Sequence, residues 1–200
     1  MATEVIEGDE WPSYVALSRL VYENVGSPRR IVLMDIAIVP ATRADTVVLD
    51  RLLQLSAYDF SEYGGTDVDS NGVFPSPYSD TIWQPHDHNF LIRVDGQLAG
   101  FAFVTRHDSY IDHGDVHLLS EFFVMRKYRR RGVGKHVACT IFDRFPGRWE
   151  LATNPGRIAA QAFWRRVVGD YAEGTYREVA EGCERWDGPI WAFESKANGT

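Results

Sequence analysis

The chain has 200 residues, of which 44% are hydrophobic and 24% are charged. This length and composition predict one globular domain, or one domain with a small appendage. The 11 Phe, 9 Tyr and 6 Trp residues exclude a chain that is disordered throughout. The net charge of −7 argues against general nucleic-acid binding, which needs a basic surface, and weakly favours cationic ligands such as amines.

The sequence carries no recognisable signal for export or membrane insertion. Its first ten residues are acidic and lack the apolar core of a signal peptide. The longest apolar stretch, residues 31–39, contains Asp35 and is too short to span a bilayer. Cys139 and Cys183 form no spaced disulfide framework, which is typical of a reducing compartment. We therefore expect a cytoplasmic protein with no membrane partner.

The first 33 residues are predicted to be an N-terminal extension of a domain that spans residues 34–200. Within the extension, apolar residues recur at helical spacing between a proline and a glycine that suit the two ends of a helix. One short helix is therefore expected over about residues 12–25. The alternative is that the protein begins at Met34.

The rest of the chain alternates between strand and helix patterns. In chain order, we expect a strand at residues 36–38, a helix at 41–63, a long connection at 64–89, strands at 90–94, 98–105 and 117–125, a helix at 133–145, a strand at 149–153, a helix at 158–168, and strands at 176–179 and 190–193. The strand–helix–strand unit from 117 to 153 should be parallel and right-handed. This order predicts an α/β fold, with a mixed central sheet of six to seven strands and helices on both faces.

A basic turn with two glycines, Gly132 and Gly134, lies between the strand at 117–125 and the helix at 133–145. Its six basic residues are Arg126, Lys127, Arg129, Arg130, Arg131 and Lys135. The first amides of a helix have no partner within the helix, and glycine lets a phosphate approach them closely. The turn is therefore a candidate anion site, although it lacks the P-loop and dinucleotide-binding patterns. A solvated turn, or an exposed nuclear-localisation or RNA-binding patch, is the alternative.

With this turn the sequence resembles the GCN5-related N-acetyltransferase (GNAT) family. Arg129, Gly132 and Gly134 match the family signature of Gln or Arg, two residues, Gly, one residue, and Gly or Ala. A second family feature, an Asn after the next strand followed by an Ala and an aromatic pair on the next helix, is similar to Asn154, Ala160, Phe163 and Trp164. The element order from about residue 34 to 193 also resembles that of the family.

The resemblance implies a partly splayed sheet, the acyl-CoA N-acyltransferase fold, with acetyl-CoA between the strands that end at Met125 and Thr153. The pantetheine would pair with backbone at the end of the first strand, and the pyrophosphate would lie on the amides of the basic turn. The implied cofactor-binding residues are Phe123, Val124, Met125, Arg129, Arg130, Arg131, Gly132, Val133, Gly134, Lys135, Asn154, Ala160 and Phe163.

Acetyl transfer to an amine requires the amine to lose a proton. An amine with a pKa near 10.4 is neutral in only about one molecule in 2,500 at pH 7, a deficit of about 4.6 kcal/mol. A general base helps, and Glu121, which lies in an apolar strand beside the implied splay, is the candidate; a structural carboxylate is the alternative. Many family members have a Tyr acid where this chain has Trp164. Tyr171 is the substitute candidate, and departure of the thiolate without an acid stays open.

The acceptor site is expected between the helix that ends near residue 63, the long connection and the C-terminal strands. Aromatic and acidic side chains suit a cation, and the candidate substrate-binding residues are Tyr58, Asp59, Tyr63, Tyr78 and Trp83. A loop that packs on the core is the alternative reading of the same residues. The turn at 107–115 is a further candidate for the rim. No metal is expected, because the histidine pairs lack a third ligand nearby in the sequence.

The sequence thus predicts an acyl-CoA-dependent N-acetyltransferase that moves an acetyl group from acetyl-CoA to an amine by direct attack in a ternary complex. The acceptor would be a small-molecule or peptide amine of unidentified structure. The alternatives are a non-catalytic acyl-CoA-binding or sensor module, and an interaction protein that docks through residues 1–33. Dimers are common in the family that the chain resembles, so the resemblance also allows a homodimer.

Overall fold

The computed structural model describes residues 16–23, 30–75, 83–84 and 87–195. The elements in chain order are β1 (Ala16–Glu23), β2 (Arg30–Pro40), α1 (Thr46–Gly64), β3 (His88–Val94), β4 (Gln97–Asp108), β5 (Asp115–Val124), α2 (Val133–Arg144), β6 (Gly147–Ala152), α3 (Ile158–Tyr171), β7 (Arg177–Val179) and β8 (Ile190–Ser195). Short 3₁₀ turns at Arg43–Asp45 and Arg126–Tyr128 precede α1 and α2. The helices and strands that were predicted between residues 36 and 193 are confirmed, with shifted boundaries.

The strands form one mixed sheet in the order β1-β2-β3-β4-β5-β6-β8-β7. Paired neighbours are antiparallel except for β5 and β6, which are parallel. The predicted parallel strand–helix–strand unit is therefore confirmed as β5–α2–β6. Within the described ranges the sheet has eight strands, and the strand beyond the expected six to seven is β1.

The N-terminal helix that was predicted over residues 12–25 is wrong for residues 16–23. These residues form β1, which pairs with β2 from Ala16–Ala37 to Glu23–Arg30. A short isolated helix is marginal in water, whereas pairing with β2 over all eight residues gives a backbone partner to the N–H and C=O groups that face that strand. The other residues of the predicted helix lie outside the described residues. β2 runs across residue 33, and the division of the chain there stays a proposal.

Helices cover both faces of the sheet, as predicted. The apolar stripe of α1 lies on one face, in a cluster of Leu49, Leu52, Leu53, Leu91, Phe101, Phe103 and Phe123. Helices α2 and α3 lie on the other face, in a larger cluster that includes Ile36, Ile92, Val137, Ile141, Phe142, Trp149, Trp164 and Val168. Burial of each such side chain contributes about 1.5–3 kcal/mol. This packing places the ends of α1, α2 and α3 around the region where β5 and β6 separate.

Candidate active site

A cavity of about 320 Å³ lies where β5 and β6 diverge. The two strands pair at His117–Trp149 and Leu118–Glu150, and the cavity opens beyond these pairs. It is lined by both strands, by α1 and α3, and by the loops after β4, β6 and β7, through Phe60, Tyr110, Leu118, Leu119, Ser120, Glu121, Phe122, Ala152, Thr153, Asn154, Arg157, Trp164 and Trp186. The splayed sheet that the family resemblance implied is therefore present.

A β-bulge in β5 directs Glu121 toward the α1 side of the sheet. Phe103 of β4 pairs with Glu121, but the next residue, Val104, pairs with Leu119, so Ser120 is an extra residue in β5. An extra residue breaks the strict alternation of side chains and re-aims its neighbours. Glu121 consequently shares a face with Phe103, which packs under α1, and it lines the cavity.

Arg157, next to the start of α3, brings a positive charge into the same cavity. Its guanidinium carbon lies over the Phe60 ring, 3.9 Å from the ring centroid, so this pair joins α1 to the residue that caps α3. Burial lowers the pKa of Arg157, and the negative charge of Glu121 acts in the opposite direction. Glu121 and Arg157 are therefore close enough for their charges to interact.

The basic turn places the first amides of α2 at the end of β5. Arg130 and Gly132 have φ of 62° and 80°, and Gly132 is the N-cap of α2. His136 N–H donates to the Gly132 carbonyl at 3.1 Å, which is the first hydrogen bond of the helical ladder. The amides of residues 133–135 precede it and point out of the helix end, where the helix dipole also favours an anion.

Three basic side chains of the turn bind acidic partners on neighbouring helices. Arg126 and Arg129 both bind the carboxylate of Asp59 on α1, and Lys135 lies 2.5 Å from a carboxylate oxygen of Asp170 on α3. Lys127 and Arg130 are exposed on the surface of the turn. The net positive charge near the helix end therefore comes mainly from Lys127 and Arg130, because Arg126, Arg129 and Lys135 are paired with carboxylates of α1 and α3.

Asp59, which was predicted to bind the acceptor, instead fastens α1 to the basic turn. Its side chain is 13% exposed, with Arg126 2.8 Å away. Burial raises the pKa of Asp59, but the hydrogen bonds and charges of Arg129 and Arg126 outweigh that effect and hold the pKa below its usual value. The carboxyl is therefore charged at neutral pH.

The backbone at the end of β5 offers an amide to the gap. Met125 N–H donates to the Ala99 carbonyl of β4 at 2.8 Å. Since successive amides of an extended strand point to opposite sides, the N–H of Val124 points away from β4, toward the gap. Arg129 Nε donates to the Val124 carbonyl at 2.6 Å, and its guanidinium lies 5.5 Å from the Phe123 ring. The signature arginine thus braces the strand end.

The other predicted cofactor residues lie on the α3 side of the gap. Phe163 stacks on Phe122 with ring centroids 6.3 Å apart, and Ala160 packs against the same core. A Cβ at Gly134 would lie 3.2 Å from the Phe163 ring, so this glycine lets α2 and α3 approach each other. Asn154 lines the cavity. Of the predicted cofactor residues, Asn154 is therefore in the described lining of the cavity, and Ala160 and Phe163 pack beside it on the α3 side.

Tyr171, the predicted acid, is not brought together with Glu121. Its hydroxyl donates to the Asp143 carboxylate at 2.8 Å and lies 2.8 Å from Ser195 Oγ. Burial raises the pKa of Tyr171 to about 12, and Asp143 acts in the same direction. This network joins α2, α3 and β8 on the face that α2 and α3 cover, and Tyr171 is absent from the described lining of the cavity.

The other predicted acceptor residues also lie apart from the cavity lining. Tyr58 and Tyr63 are 64% and 53% exposed on α1. The Trp83 indole N–H donates to Thr46 Oγ1 at 3.1 Å, and its ring packs against the α1 cluster. Tyr78 lies outside the described residues. Successive helical residues are about 100° apart, and the α1 side chain that reaches the cavity is the neighbouring phenylalanine at position 60.

The far wall of the cavity is built from two loops, the turn after β4 and the loop after β7. The rings of Tyr110 and Trp186, one from each loop, have centroids 5.6 Å apart. Arg185 joins the loops by donating to the Asp108 carboxylate at 2.7 Å and to the Ser109 carbonyl at 2.6 Å. The turn at 107–115 therefore contributes to the cavity wall, as the sequence analysis suggested. It does so through Tyr110, which the sequence analysis did not name.

Glu150 of β6 holds Tyr110 in this wall. Its side chain is 1% exposed, and its two oxygens accept hydrogen bonds from Ser109 Oγ at 2.5 Å and from the Tyr110 amide at 2.8 Å. Burial raises the pKa of the Tyr110 phenol, and the charges of Glu150 and Cys183 add to this effect. The phenol therefore keeps its proton at neutral pH.

Metal sites, membrane spans and disulfides are all lacking over the described ranges. No group of three or more His, Cys, Asp and Glu side chains there is arranged to hold a metal ion. No helix in those ranges combines the length and apolar character needed to cross a membrane. Cys139 and Cys183 are not joined by a disulfide.

Comparisons with known proteins agree with this architecture. Residues 57–169 match the model of the acetyltransferase (GNAT) family. An acetyltransferase from Thermus thermophilus is 15% identical with a TM-score of 0.58, and the match covers 80% of this chain and 96% of that one. RimJ from Mycobacterium smegmatis, in complex with CoA-disulfide, is 14% identical with a TM-score of 0.54 and coverages of 92% and 88%.

A third similar structure is spermidine N-acetyltransferase from Vibrio cholerae in complex with CoA and spermine. It is 10% identical with a TM-score of 0.51, and the match covers 80% of this chain and 95% of that one. At such low identities these structures show a shared fold. No curated protein sequence matched this chain.

Proposed function

This chain belongs to the acetyltransferase (GNAT) family, and on that premise we propose that it transfers an acetyl group from acetyl-CoA to a primary amine. One observation carries the proposal: the cavity between β5 and β6 has Glu121 in its wall, and the amides of α2 lie at the end of the same strand. The complexes of two similar structures with CoA or CoA-disulfide support an acyl-CoA donor.

The residues at the gap suit acetyl-CoA. The pyrophosphate would be held by the amides of residues 133–135, beside Gly132, whose positive φ and missing Cβ allow close approach. Lys127 and Arg130 would add positive charge, and the Val124 amide would bind along the pantetheine. When bound, acetyl-CoA supplies a thioester carbonyl that an amine can attack.

Glu121 is proposed as the general base, acting directly or through one water. The attacking nitrogen forms a C–N bond as the C–S bond of the thioester breaks, and the proton lost by nitrogen passes to the Glu121 carboxylate. General bases of this kind contribute about 10²–10⁴-fold to rate. The Val124 amide is a candidate donor to the carbonyl oxygen as it gains negative charge.

The CoA thiolate must take up a proton after it departs. Tyr110 is the phenol in the described lining of the cavity, and it is protonated at neutral pH because burial raises its pKa. We therefore favour Tyr110 over Tyr171 as the proton donor, with solvent as the other source. Replacement of each tyrosine by phenylalanine distinguishes the two.

The proposed activity is tested first by ligand-induced stabilisation. A ligand at about 100 times its dissociation constant adds about 2.7 kcal/mol, which for this length corresponds to roughly 5–10 °C in Tm. We expect such a shift with acetyl-CoA and none with ATP. No shift with either ligand, in a folded protein, would contradict the donor assignment and favour an interaction protein.

Release of CoA thiol with a panel of primary amines then tests catalysis. The variant E121Q should lose most turnover while it keeps its acetyl-CoA shift, and D50N, an exposed carboxylate-to-amide change on α1, is the matched control. Full turnover in E121Q would show that Glu121 is a structural carboxylate. The thermal shift thus reports on acetyl-CoA binding, and thiol release reports on the role of Glu121 as the base.

A non-catalytic acyl-CoA-binding module is the second candidate function, and Trp164 is the observation that favours it. The indole is 8% exposed and packs edge to face on Phe122, with centroids 5.2 Å apart. It has no acidic proton to offer at the position where many family members have tyrosine. This candidate predicts an acetyl-CoA shift without thiol release for any amine.

We also propose that the protein is cytoplasmic, that it forms a homodimer, and that residues 1–33 are an N-terminal extension of the domain. The location is supported by two cysteines that form no disulfide. Separation of soluble and membrane fractions checks the location, and light scattering at several concentrations checks the dimer.

A further inference from the structure

Two side chains of opposite charge line the cavity, Glu121 and Arg157. The other described residues of the lining are aromatic, aliphatic or neutral polar side chains. A site that held a simple cationic amine would gain nothing from an arginine beside the attacking nitrogen, because like charges repel. The pair is instead complementary to a ligand that carries both charges.

Arg157 lies over the ring of Phe60, which has no hydrogen-bond acceptor in the ring plane to occupy its N–H groups. The central guanidinium carbon is 3.9 Å from the ring centroid, and the N–H groups of a guanidinium lie in its plane, around the edge. That edge matches the two oxygens of a carboxylate in a bidentate arrangement. Arg157 is also partly removed from water, so a bound carboxylate would replace lost hydration.

We propose that the acceptor is a small amino acid, whose amine lies at Glu121 and whose carboxylate is bound by Arg157. This inference rests on the proposed acetyl transfer and specifies its substrate class. In an amino acid the carboxylate is one carbon away from the amine, whereas the N-terminus of a protein has a neutral amide at that place. Arg157 would therefore select free amino acids over peptides and over simple amines.

The size and lining of the cavity agree with this class. The cavity of about 320 Å³ is at the lower end of small-molecule sites, and the acetyl end of the donor would fill part of it, which leaves room for only a small acceptor. The walls beyond the charged pair are the rings of Phe60, Tyr110 and Trp186, which suit an apolar or aromatic side chain. Arg185 ties the two loops of the wall together, so the wall is braced around a small acceptor.

The reaction balances without any further reagent. The ammonium group first loses one proton to solvent; the neutral amine nitrogen then forms a bond to the acetyl carbon, the C–S bond breaks, and a second proton passes from nitrogen to Glu121. The thiolate takes up a proton and leaves as CoA. The carboxylate of the amino acid is unchanged by the reaction. Arg157 therefore binds substrate and N-acetylated product alike and contributes to specificity.

The test compares matched acceptors that differ in the carboxylate. L-phenylalanine, L-leucine and glycine are each assayed beside their methyl esters, with acetyl-CoA and detection of CoA thiol. The ester has the less basic amine and hence the larger neutral fraction at pH 7. A preference for the free acid would therefore run against intrinsic reactivity.

The full chain is compared with R157M, R157K and the control R166M, an exposed arginine further along α3. For wild type we expect kcat/KM for at least one free acid to exceed that of its ester by about tenfold or more, the size of a hydrogen bond to a charged group. R157M should abolish that preference mainly through KM, R157K should retain part of it, and R166M should retain all of it.

Three results would overturn the inference. The first is a wild-type enzyme that acetylates esters or simple amines but none of the free acids, which leaves the proposed acetyl transfer intact. The second is an unchanged acid-to-ester ratio in R157M. The third is loss of the acetyl-CoA thermal shift in R157M, which would make Arg157 a donor-site residue. An acetyl-CoA shift without any acetylation would contradict both proposals together.

Discussion

The basic turn and the acceptor cavity are built in contrasting ways. The turn consists of ten consecutive residues, 126–135, and its proposed role in binding phosphate depends on local backbone: a left-handed glycine and the first amides of α2. The cavity is lined by residues from strands, helices and loops that lie as far apart in the chain as Phe60 and Trp186. The turn can be recognised from a short stretch of consecutive residues, whereas the cavity residues become neighbours only when the chain folds.

The two regions also use charge differently. In the turn, acidic partners from α1 and α3 bind Arg129 and Lys135, and the backbone amides are the proposed donors to an anion. In the cavity, Glu121 and Arg157 face one space with aromatic walls. A generic phosphate group needs positive potential and open backbone, whereas an acceptor must be placed so that one nitrogen reaches one carbon. Changes in the two regions should therefore have separable effects.

The largest difference between an effect on turnover and an effect on acetyl-CoA binding is expected from E121Q. Loss of the base should lower kcat by about 10²–10⁴-fold, while the dissociation constant of acetyl-CoA stays within about twofold, because the amide at position 121 removes one charge and little volume. Steady-state kinetics and calorimetric titration measure the two quantities. A parallel loss of acetyl-CoA affinity would mean that the cavity and the turn are not independent.

Gly132→Asp should show the reverse pattern. A carboxylate would lie where phosphate is proposed to bind, and acetyl-CoA affinity should fall by about a hundredfold, as for a lost hydrogen bond to a charged group. Asp is nevertheless a favourable residue at a helix N-terminus, so the unliganded protein should stay folded. Gly132→Asn, of nearly equal size and tolerant of positive φ, separates charge from strain. Equal affinities for the two variants would refute the anion-site assignment.

Tyr110→Phe and Tyr171→Phe test which phenol belongs to the site. We expect Tyr110→Phe to lower kcat by about tenfold or less, since solvent can also supply the proton. Tyr171→Phe should leave kcat unchanged and reduce the free energy of unfolding by about 1 kcal/mol, through its bonds to Asp143 and Ser195. The opposite assignment of the two effects would restore Tyr171 as the acid.

The smallest effect is expected from Asp59→Asn, which loosens the tie between α1 and the turn. The free energy of unfolding at pH 7 should fall by about 1 kcal/mol. The pKa of Asp59 is lower in the folded state, so its contribution is fully present above the unfolded pKa of about 3.9 and is lost as pH falls through the folded value. Urea unfolding at pH 7 and pH 3 should show a smaller difference between wild type and variant at the lower pH.

Much of this fold was predictable because its elements carry strong local signals. Alternating and helical apolar patterns located β2 to β8 and all three helices of the described ranges, and Asp95-Gly96 marked the β3–β4 hairpin, where both residues have positive φ. The failure at β1 is informative. Residues 16–23 have helical spacing, but the edge of β2 decided their conformation, and no local pattern reports the presence of an open edge.

The acceptor site was less predictable for a similar reason. Tyr58, Asp59 and Tyr63 have suitable chemistry, yet a helix turns each residue about 100° from the next, and Phe60 is the residue that reaches the cavity. Arg157 and Trp186 belong to no spaced motif. Their importance follows from the divergence of β5 and β6 and from the loop that Arg185 holds in place.

The sequence by itself determined the basic turn before α2, the order of the elements and the family, because each depends on residues that are neighbours in the chain or on periodic patterns. Only the tertiary structure decided that Asp59 binds two arginines, that Tyr171 is held by Asp143, and that Glu121 and Arg157 share one cavity. Those facts depend on which faces of distant elements meet. The packing of apolar stripes on both sides of the sheet decides which faces come together. The apolar residues that drive this packing say nothing about which polar residues will become neighbours.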